Sequence, residues 1–305
     1  MSRNCPKCDE DKKVIKYGRR HTKQGKIQKY FCKNCDHHFS ERFRPHTSYP
    51  EKVILYALEQ YNKGLSAKKA KALTGKKYRH SPPESTIYNW IERYKDLLTF
   101  LKLRKRFNIE QKNLLTTHTY NHQQVYPFKY HNLKLHLSAK DIPQLRRYIS
   151  WVERSLPNKI FLKGPRASST KIENGLKPKK KDNIAPKLAE KALITKKKTE
   201  SKHEAVERFF LLNDSKTVCS ELPVFIKADE TELKDFDIPL TGHIDLIQVR
   251  FNKLYIMDYK SNLKRPETHT SQLLWYREAI HERTSLPKDQ IIPAVFNEHG
   301  YYELQ

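Results

Sequence analysis

Leu254-Tyr255-Ile256-Met257-Asp258-Tyr259-Lys260 is the stretch on which the reading of this chain turns. Four apolar or aromatic residues make a short strand, and an acid and a lysine two positions apart at its end share one face of it. One short peptide can therefore hold a divalent cation and set a water beside it. Immediately upstream, Gly242-His243-Ile244-Asp245-Leu246-Ile247 reads as a second strand with its own acid among apolar residues. Two acids and an ammonium brought together in this way suit phosphodiester hydrolysis.

Outward from this pair, residues 203–305 alternate in a simple order. The periodicity predicts a helix over 203–212, strands over 219–227, 241–250 and 253–260, a helix over 269–283, and strands over 290–297 and 300–304. Upstream, residues 164–202 are rich in Lys, Pro, Ser and Asn, including Lys177-Pro178-Lys179-Lys180-Lys181 and Lys196-Lys197-Lys198, and read as a tether with one helix over 186–194. Residues 106–163 form an uncertain α/β segment in which 126–137 alternates like one or two strands and 142–156 looks helical. Residues 46–105 read as helical, and residues 1–45 are set apart by their cysteines.

The 305 residues carry 60 Lys+Arg against 34 Asp+Glu, a formal charge of +26 that points to a polyanionic partner. The excess is confined to one end. Residues 1–200 hold 47 basic and 17 acidic side chains, whereas residues 201–305 hold 13 and 17. A basic carrier is thus joined to a mildly acidic domain, so one part can collect phosphates while the other collects metal ions. No window of about 18 consecutive apolar residues exists, and the N-terminus has no charged-then-apolar leader. The expectation is a cytoplasmic protein with no membrane partner.

Cys5-Pro6-Lys7-Cys8 and Cys32-Lys33-Asn34-Cys35 each form a knuckle that presents two thiolates, and four sulfurs satisfy Zn2+ with no open position. Metal binding would supply the folding free energy of a segment too short to bury a core. Gly18 is expected in the turn between the knuckles, with Tyr30, Phe31 and Phe39 as an apolar seam. The helical stretch that follows carries Val53, Ile54, Ala57, Leu58 and Tyr61 as a stripe, and Gly64-Leu65-Ser66 as a turn with Ser66 the N-cap of a second helix to about Leu73. Ser81-Pro82-Pro83-Glu84 opens a third helix with Ile87, Trp90, Ile91 and Tyr94. That order is trihelical helix-turn-helix, whose last helix would offer Ser85, Thr86, Asn89 and Arg93 to a DNA major groove. The two modules resemble the zinc-ribbon and helix-turn-helix heads of prokaryotic transposases.

The C-terminal third resembles the PD-(D/E)XK nucleases and, within them, the RecB-like branch. The resemblance rests on His203 opening a helix, Glu221-Leu222-Pro223-Val224-Phe225, Gly242-His243-Ile244-Asp245, Asp258-Tyr259-Lys260 and Gln272-Leu273-Leu274-Trp275-Tyr276. It implies Mg2+ or Mn2+ held by Asp245, Asp258, the Tyr259 carbonyl and His203, with Lys260 orienting or deprotonating the attacking water. Gln272 and Tyr276, four apart on one helix face, would line the substrate groove or support Lys260, and Glu221 would act from behind the metal ligands. His243 is read as turned to the opposite face from Asp245. Many RecB-like enzymes hold an iron-sulfur cluster, but Cys219 is the only cysteine after Cys35, so no cluster is expected. There is also no Gly-x-x-x-x-Gly-Lys-Ser/Thr loop, hence no ATP-driven motor within these residues.

The expected fold class is therefore multidomain α+β: a zinc ribbon over 1–45, a helix-turn-helix over 46–105, and over 203–305 an α/β PD-(D/E)XK core whose mixed central sheet is flanked by helices. The expected function is a metal-dependent DNase directed to double-stranded DNA by its head, an endonuclease of a mobile element or defence system. A RecB-like exonuclease of DNA repair and a non-catalytic DNA-binding or transposase-associated regulator are the alternatives. Cleavage of both strands would need a homodimer or two successive nicks.

Overall fold

The computed structural model describes residues 5, 7–8, 11–22, 25–40, 49–79, 81–172, 176–231 and 238–305. Residues 1–53 and 54–305 form two compact units. The expected boundary between ribbon and helices, at residues 45 and 46, lies outside the described residues.

In the first unit, β1 (Val14–Thr22), β2 (Gly25–Cys32) and β3 (His37–Ser40) form an antiparallel three-stranded sheet. Gly18 is not in a turn, as the sequence suggested, but within β1, with φ +77° where the register to β2 shifts between Lys16 and Arg19. A bulge needs the left-handed backbone that glycine adopts without steric cost, so the same chemistry serves a bend instead of a reversal. Tyr30 stacks on Phe39 across β2 and β3, as the apolar seam requires.

Next come α1 (Glu51–Asn62), α2 (Ala67–Tyr78), α3 (Glu84–Tyr94) and the short α4 (Phe100–Arg106). Ser66 caps α2, its Oγ accepting from the Lys69 N–H at 3.2 Å. The helix runs past Leu73 to Tyr78 because Thr74 and Gly75 only weaken a helix, and Thr74 Oγ1 bonds back to the Ala70 carbonyl. It stops at Arg79, whose φ is +55°.

Among the described residues the large sheet has eight strands in the order β4-β5-β7-β8-β9-β10-β11-β6. They are β4 (Leu115–His122), β5 (Gln124–His131), β6 (Pro178–Lys180), β7 (Thr217–Ile226), β8 (Leu240–Arg250), β9 (Lys253–Tyr259), β10 (Ile291–Phe296) and β11 (Tyr301–Leu304). All neighbours are antiparallel except β9 and β10, which run parallel because α10 (Thr270–Thr284) crosses between them. On the sheet, Leu145, Ile149 and Val152 of α6 (Pro143–Ser155) and Leu273, Ala279 and Ile280 of α10 share one buried core with Ile244, Ile247 and Ile256. The elements expected over 203–305 are all present, each within two residues at either end.

Two stretches differ from their sequence reading. Within 106–163 the alternating run ends at His131, and α5 (Asn132–Ser138) replaces a second strand; α6 and α7 (Asn158–Lys163) follow. The Lys-rich tether is built into the fold: β6 pairs with β11 at the sheet edge, and α8 (Ala185–Thr195) buries Leu188, Ala189 and Ala192. An edge strand needs only backbone partners on one side, so exposed lysines carry no penalty there and even suit it.

The helices are joined to the large sheet through α9 (Lys202–Asn213). Arg208 bridges Glu59 of α1 at 2.6 Å and Glu200 at 2.7 Å, and the Asn62 amide donates to Asn213 Oδ1 at 2.9 Å. Thr99 Oγ1 donates to Asp214 Oδ1, and Phe100 packs with Ile109, Leu114 and Leu212. No helix among the described residues is long and apolar enough to cross a membrane.

Candidate active site

Three neighbouring strands line up their acids. The β7–β8 register sets Ser220 against Leu246 and Leu222 against Ile244, so Glu221 lies across from Asp245. In β8–β9, Leu246 faces Met257, and the next step of that register brings Asp258 beside Asp245. The helix α9 then adds two side chains one turn apart, His203 and Glu207. Its start is fixed by a capping box in which Ser201 Oγ accepts from the Glu204 N–H and Glu204 Oε2 accepts from the Ser201 N–H.

One oxygen from each of Glu207, Glu221 and Asp245 lies within 4.8 Å of the others. The sequence reading placed Glu221 behind the metal ligands, but the structure puts it among the acids. Its backbone has φ +54°, a conformation costly for a residue with a side chain and of the kind that marks functional sites. Glu207 was not anticipated. Its one signal in the sequence was the helical spacing His203-x-x-x-Glu207, which sets both on one face.

Asp245 is the most heavily bonded of the four. His203 Nε2 lies 2.8 Å from Asp245 Oδ2, and the Tyr259 N–H donates to the same oxygen at 2.7 Å. Burial alone would raise this carboxyl, but the His203 bond and charge, Lys260 and the Tyr259 amide together hold it below the usual range. The imidazole rises in return: burial disfavours its cation, but the bond to Asp245 and the charges of Asp245 and Asp258 together outweigh burial. The contact seen for Tyr259 is thus its N–H on an acid, while its phenol bonds Glu298.

Asp258 is 1 % exposed, and Lys260 Nζ lies 2.7 Å from its Oδ2. That ion pair occupies Oδ2, whereas Asp258 Oδ1 and Glu207 Oε1 are buried without a hydrogen bond. Burial first, then the charge of Asp245, push the Asp258 carboxyl up to about 6 against the pull of Lys260. Glu221 rises to about 7 and Glu207 rises well above its ordinary value, both by burial and by their acidic neighbours. Lys260 stays a cation, because Asp258 and Asp245 outweigh its own burial. Clustered acids with orphaned oxygens fit a hard divalent cation, which takes oxygen ligands and removes their mutual repulsion.

Glu221, Asp245, Asp258, His203 and Lys260 line a cavity of about 350 Å³ together with Gln272 and Tyr276. These two are bonded to each other, Gln272 Nε2 donating to Tyr276 Oη at 2.9 Å. The phenol lies so close to β8 that a Cβ on Gly242 would fall 2.4 Å from its Cε1, so only glycine allows the approach. His243 also lines the cavity, which corrects its sequence reading: positions 243 and 245 are two apart and share a face of a regular strand.

The four N-terminal cysteines also converge. Sγ atoms of Cys5 and Cys35 lie 3.6 Å apart, as do those of Cys8 and Cys32, and all four fall within 4.8 Å. A zinc tetrahedron with bonds of about 2.3 Å has edges of about 3.8 Å, so the spacing fits. Burial and the three other thiols push the Cys35 thiol up to about 12, so four thiolates can coexist here only around a cation. On α3, Ser85, Asn89 and Arg93 are exposed and Thr86 is half-buried, while Ile87, Trp90, Ile91 and Tyr94 are buried.

Residues 131–302 match the family model of the PD-(D/E)XK nuclease superfamily. No curated protein and no solved structure matches the chain.

Proposed function

The chain belongs to the PD-(D/E)XK nuclease superfamily, and from that premise we propose that it is a divalent-metal-dependent deoxyribonuclease hydrolysing phosphodiester bonds in double-stranded DNA. The observation that carries this reading is the convergence of Glu207, Glu221, Asp245 and Asp258 beside the Lys260 ammonium, with buried carboxylate oxygens left without hydrogen bonds.

Glu207, Glu221, Asp245 and Asp258 would hold Mg2+ or Mn2+, with His203 and the Tyr259 carbonyl as the further ligands the sequence suggests. When bound, such an ion supplies Lewis acidity toward the phosphoryl oxygens and lowers the pKa of water. His203 and the Tyr259 N–H keep Asp245 ionised at neutral pH. Asp258 and Asp245 hold Lys260 as a cation in the cation-free site, and beside the ion it would orient or deprotonate the attacking water and offset charge on the phosphorane. Gln272 locks the Tyr276 phenol against Gly242 and shapes the cavity wall next to the reacting atoms.

The basic N-terminal part supports direction of this site to DNA. In this reading the four cysteines hold one structural Zn2+ in a ribbon, α1 to α3 act as a helix-turn-helix, and Ser85, Thr86, Asn89 and Arg93 face the major groove. A specific head on a hydrolytic domain favours an endonuclease of a mobile element or defence system over RecB-like end degradation. Supercoiled plasmid with Mg2+ or Mn2+ tests it: nicking or linearisation by the parent, and none by Asp258→Asn, is the expected result.

A further inference from the structure

Beyond the acids, the same cavity continues to a wall built by β5, β8 and the segment after α7. Tyr126 stacks flat on His243, with centroids 3.7 Å apart and planes at 5°. His243 Nε2 lies 2.9 Å from His122 Nδ1, and His122 Nε2 lies 2.9 Å from Asn158 Oδ1. The stacked rings of Tyr126 and His243, backed by His122, form a flat platform. On this platform sits Arg166, its guanidinium 5.4 Å from the Tyr126 ring centre and its Nη2 donating to the Tyr126 hydroxyl.

The backbone fixes this arginine. Arg166 forms a bridge with Thr241 of β8, and the Thr241 N–H donates to the Pro165 carbonyl at 3.0 Å. Gly164, just before, lies so close to β8 that a Cβ would fall 2.5 Å from the Pro239 carbonyl. Thr241 precedes Asp245 by four residues, or about 13 Å along a strand. Arg166 pairs with no carboxylate among the described residues, and it lines the cavity with Gln124 and Ser168. A fork of five N–H donors with one spent on Tyr126, facing a cavity whose other end is acidic, is built for a phosphate.

Resting on the nuclease reading, we infer that Arg166, oriented by Tyr126 and flanked by Gln124 and Ser168, is the subsite for the phosphate next to the scissile one on the bound strand. The acidic end of the cavity repels the DNA backbone, and Arg166 supplies the attraction that seats the strand. Its contribution is to substrate binding, so its loss is read in KM more than in kcat.

The test uses the full chain and a labelled single-stranded hexanucleotide. With Mn2+, Arg166→Ala is expected to raise KM tenfold or more while kcat moves by less than threefold. With Ca2+ in place of Mn2+, direct binding should weaken about tenfold, and the slope of log affinity against log salt should become shallower by about 0.7, the value of one phosphate contact on a single strand. Arg166→Lys, which keeps the charge without the fork and preserves packing on Tyr126, should restore the salt slope and only part of the affinity. An unchanged KM and salt slope in Arg166→Ala, or a fall in kcat at constant KM, overturns the subsite. Should the parent bind the hexanucleotide without cutting it, the binding arm alone decides Arg166: a loss of affinity and slope upholds the subsite, and no loss rejects it, while the nuclease reading itself fails only when supercoiled plasmid is left uncut as well.

Discussion

Glu221 of β7 lies across from Asp245 of β8, and it reaches that position with its backbone in the left-handed region at φ +54°. A strained residue set against a buried acid raises the free energy of the cation-free protein twice over, through conformation and through repulsion. Both costs are offset when a divalent cation sits between the carboxylates.

The first consequence concerns pH. Asp258, at about 6, and Glu221, at about 7, hold protons in the native state that the unfolded chain releases near pH 4, and Glu207 shifts the same way. The native state then binds more protons than the unfolded one, so stability falls as pH rises from about 4 to about 7. His203, raised by Asp245, has the same sign; the lowered Asp245 acts in the opposite sense, below the usual carboxylate range. Thermal melts without divalent metal should therefore lose several degrees between pH 5 and pH 8. Mn2+ should restore them at pH 8 and do little at pH 5.

Glu207 separates a metal-holding role from a packing role. Glu207→Gln keeps the shape and removes the charge, so Mn2+ binding by calorimetry should weaken at least tenfold while the metal-free melt at pH 8 rises. Weaker metal binding with a lower melt would mean that the side chain is structural.

Arg208 ties α9 to α1, and α9 carries His203 and Glu207. Burial would raise Glu59, but Arg208 and Lys63 hold it ionised. Removing Arg208 leaves that buried charge with Lys63 alone, a loss of about 3 kcal/mol. Denaturant unfolding of Arg208→Ala and of the Glu59→Gln/Arg208→Ala pair should show the double variant recovering part of the loss.

Gly242→Ala should displace Tyr276, since no Cβ fits 2.4 Å from its ring. The expected cost is about 1 to 3 kcal/mol in stability. Tyr276→Leu in the same chain should return most of it, which checks that the clash is with this ring.

Much of the C-terminal fold was legible because its strands alternate strongly and its acids interrupt apolar runs, so Asp245, Asp258 and Lys260 stood out one by one. Glu207 did not, since one glutamate on a helix is ordinary until the sheet beneath it is known. His243 was misjudged by a parity error and not by the physics, as two residues separate like from like on a strand. The Lys-rich segment showed α8 but hid β6, because an edge strand is specified by backbone bonding, which composition does not record. Arg166 carried no local signal, as only the bridge to Thr241 brings it to the cavity.

The most direct measurement compares parent, Asp258→Asn and Lys260→Ala on supercoiled plasmid with Mn2+, each with its zinc content determined first. The account predicts about one zinc in all three, cleavage by the parent, and a loss of at least about a thousandfold in both variants. Cleavage at the parental rate by both variants would contradict it.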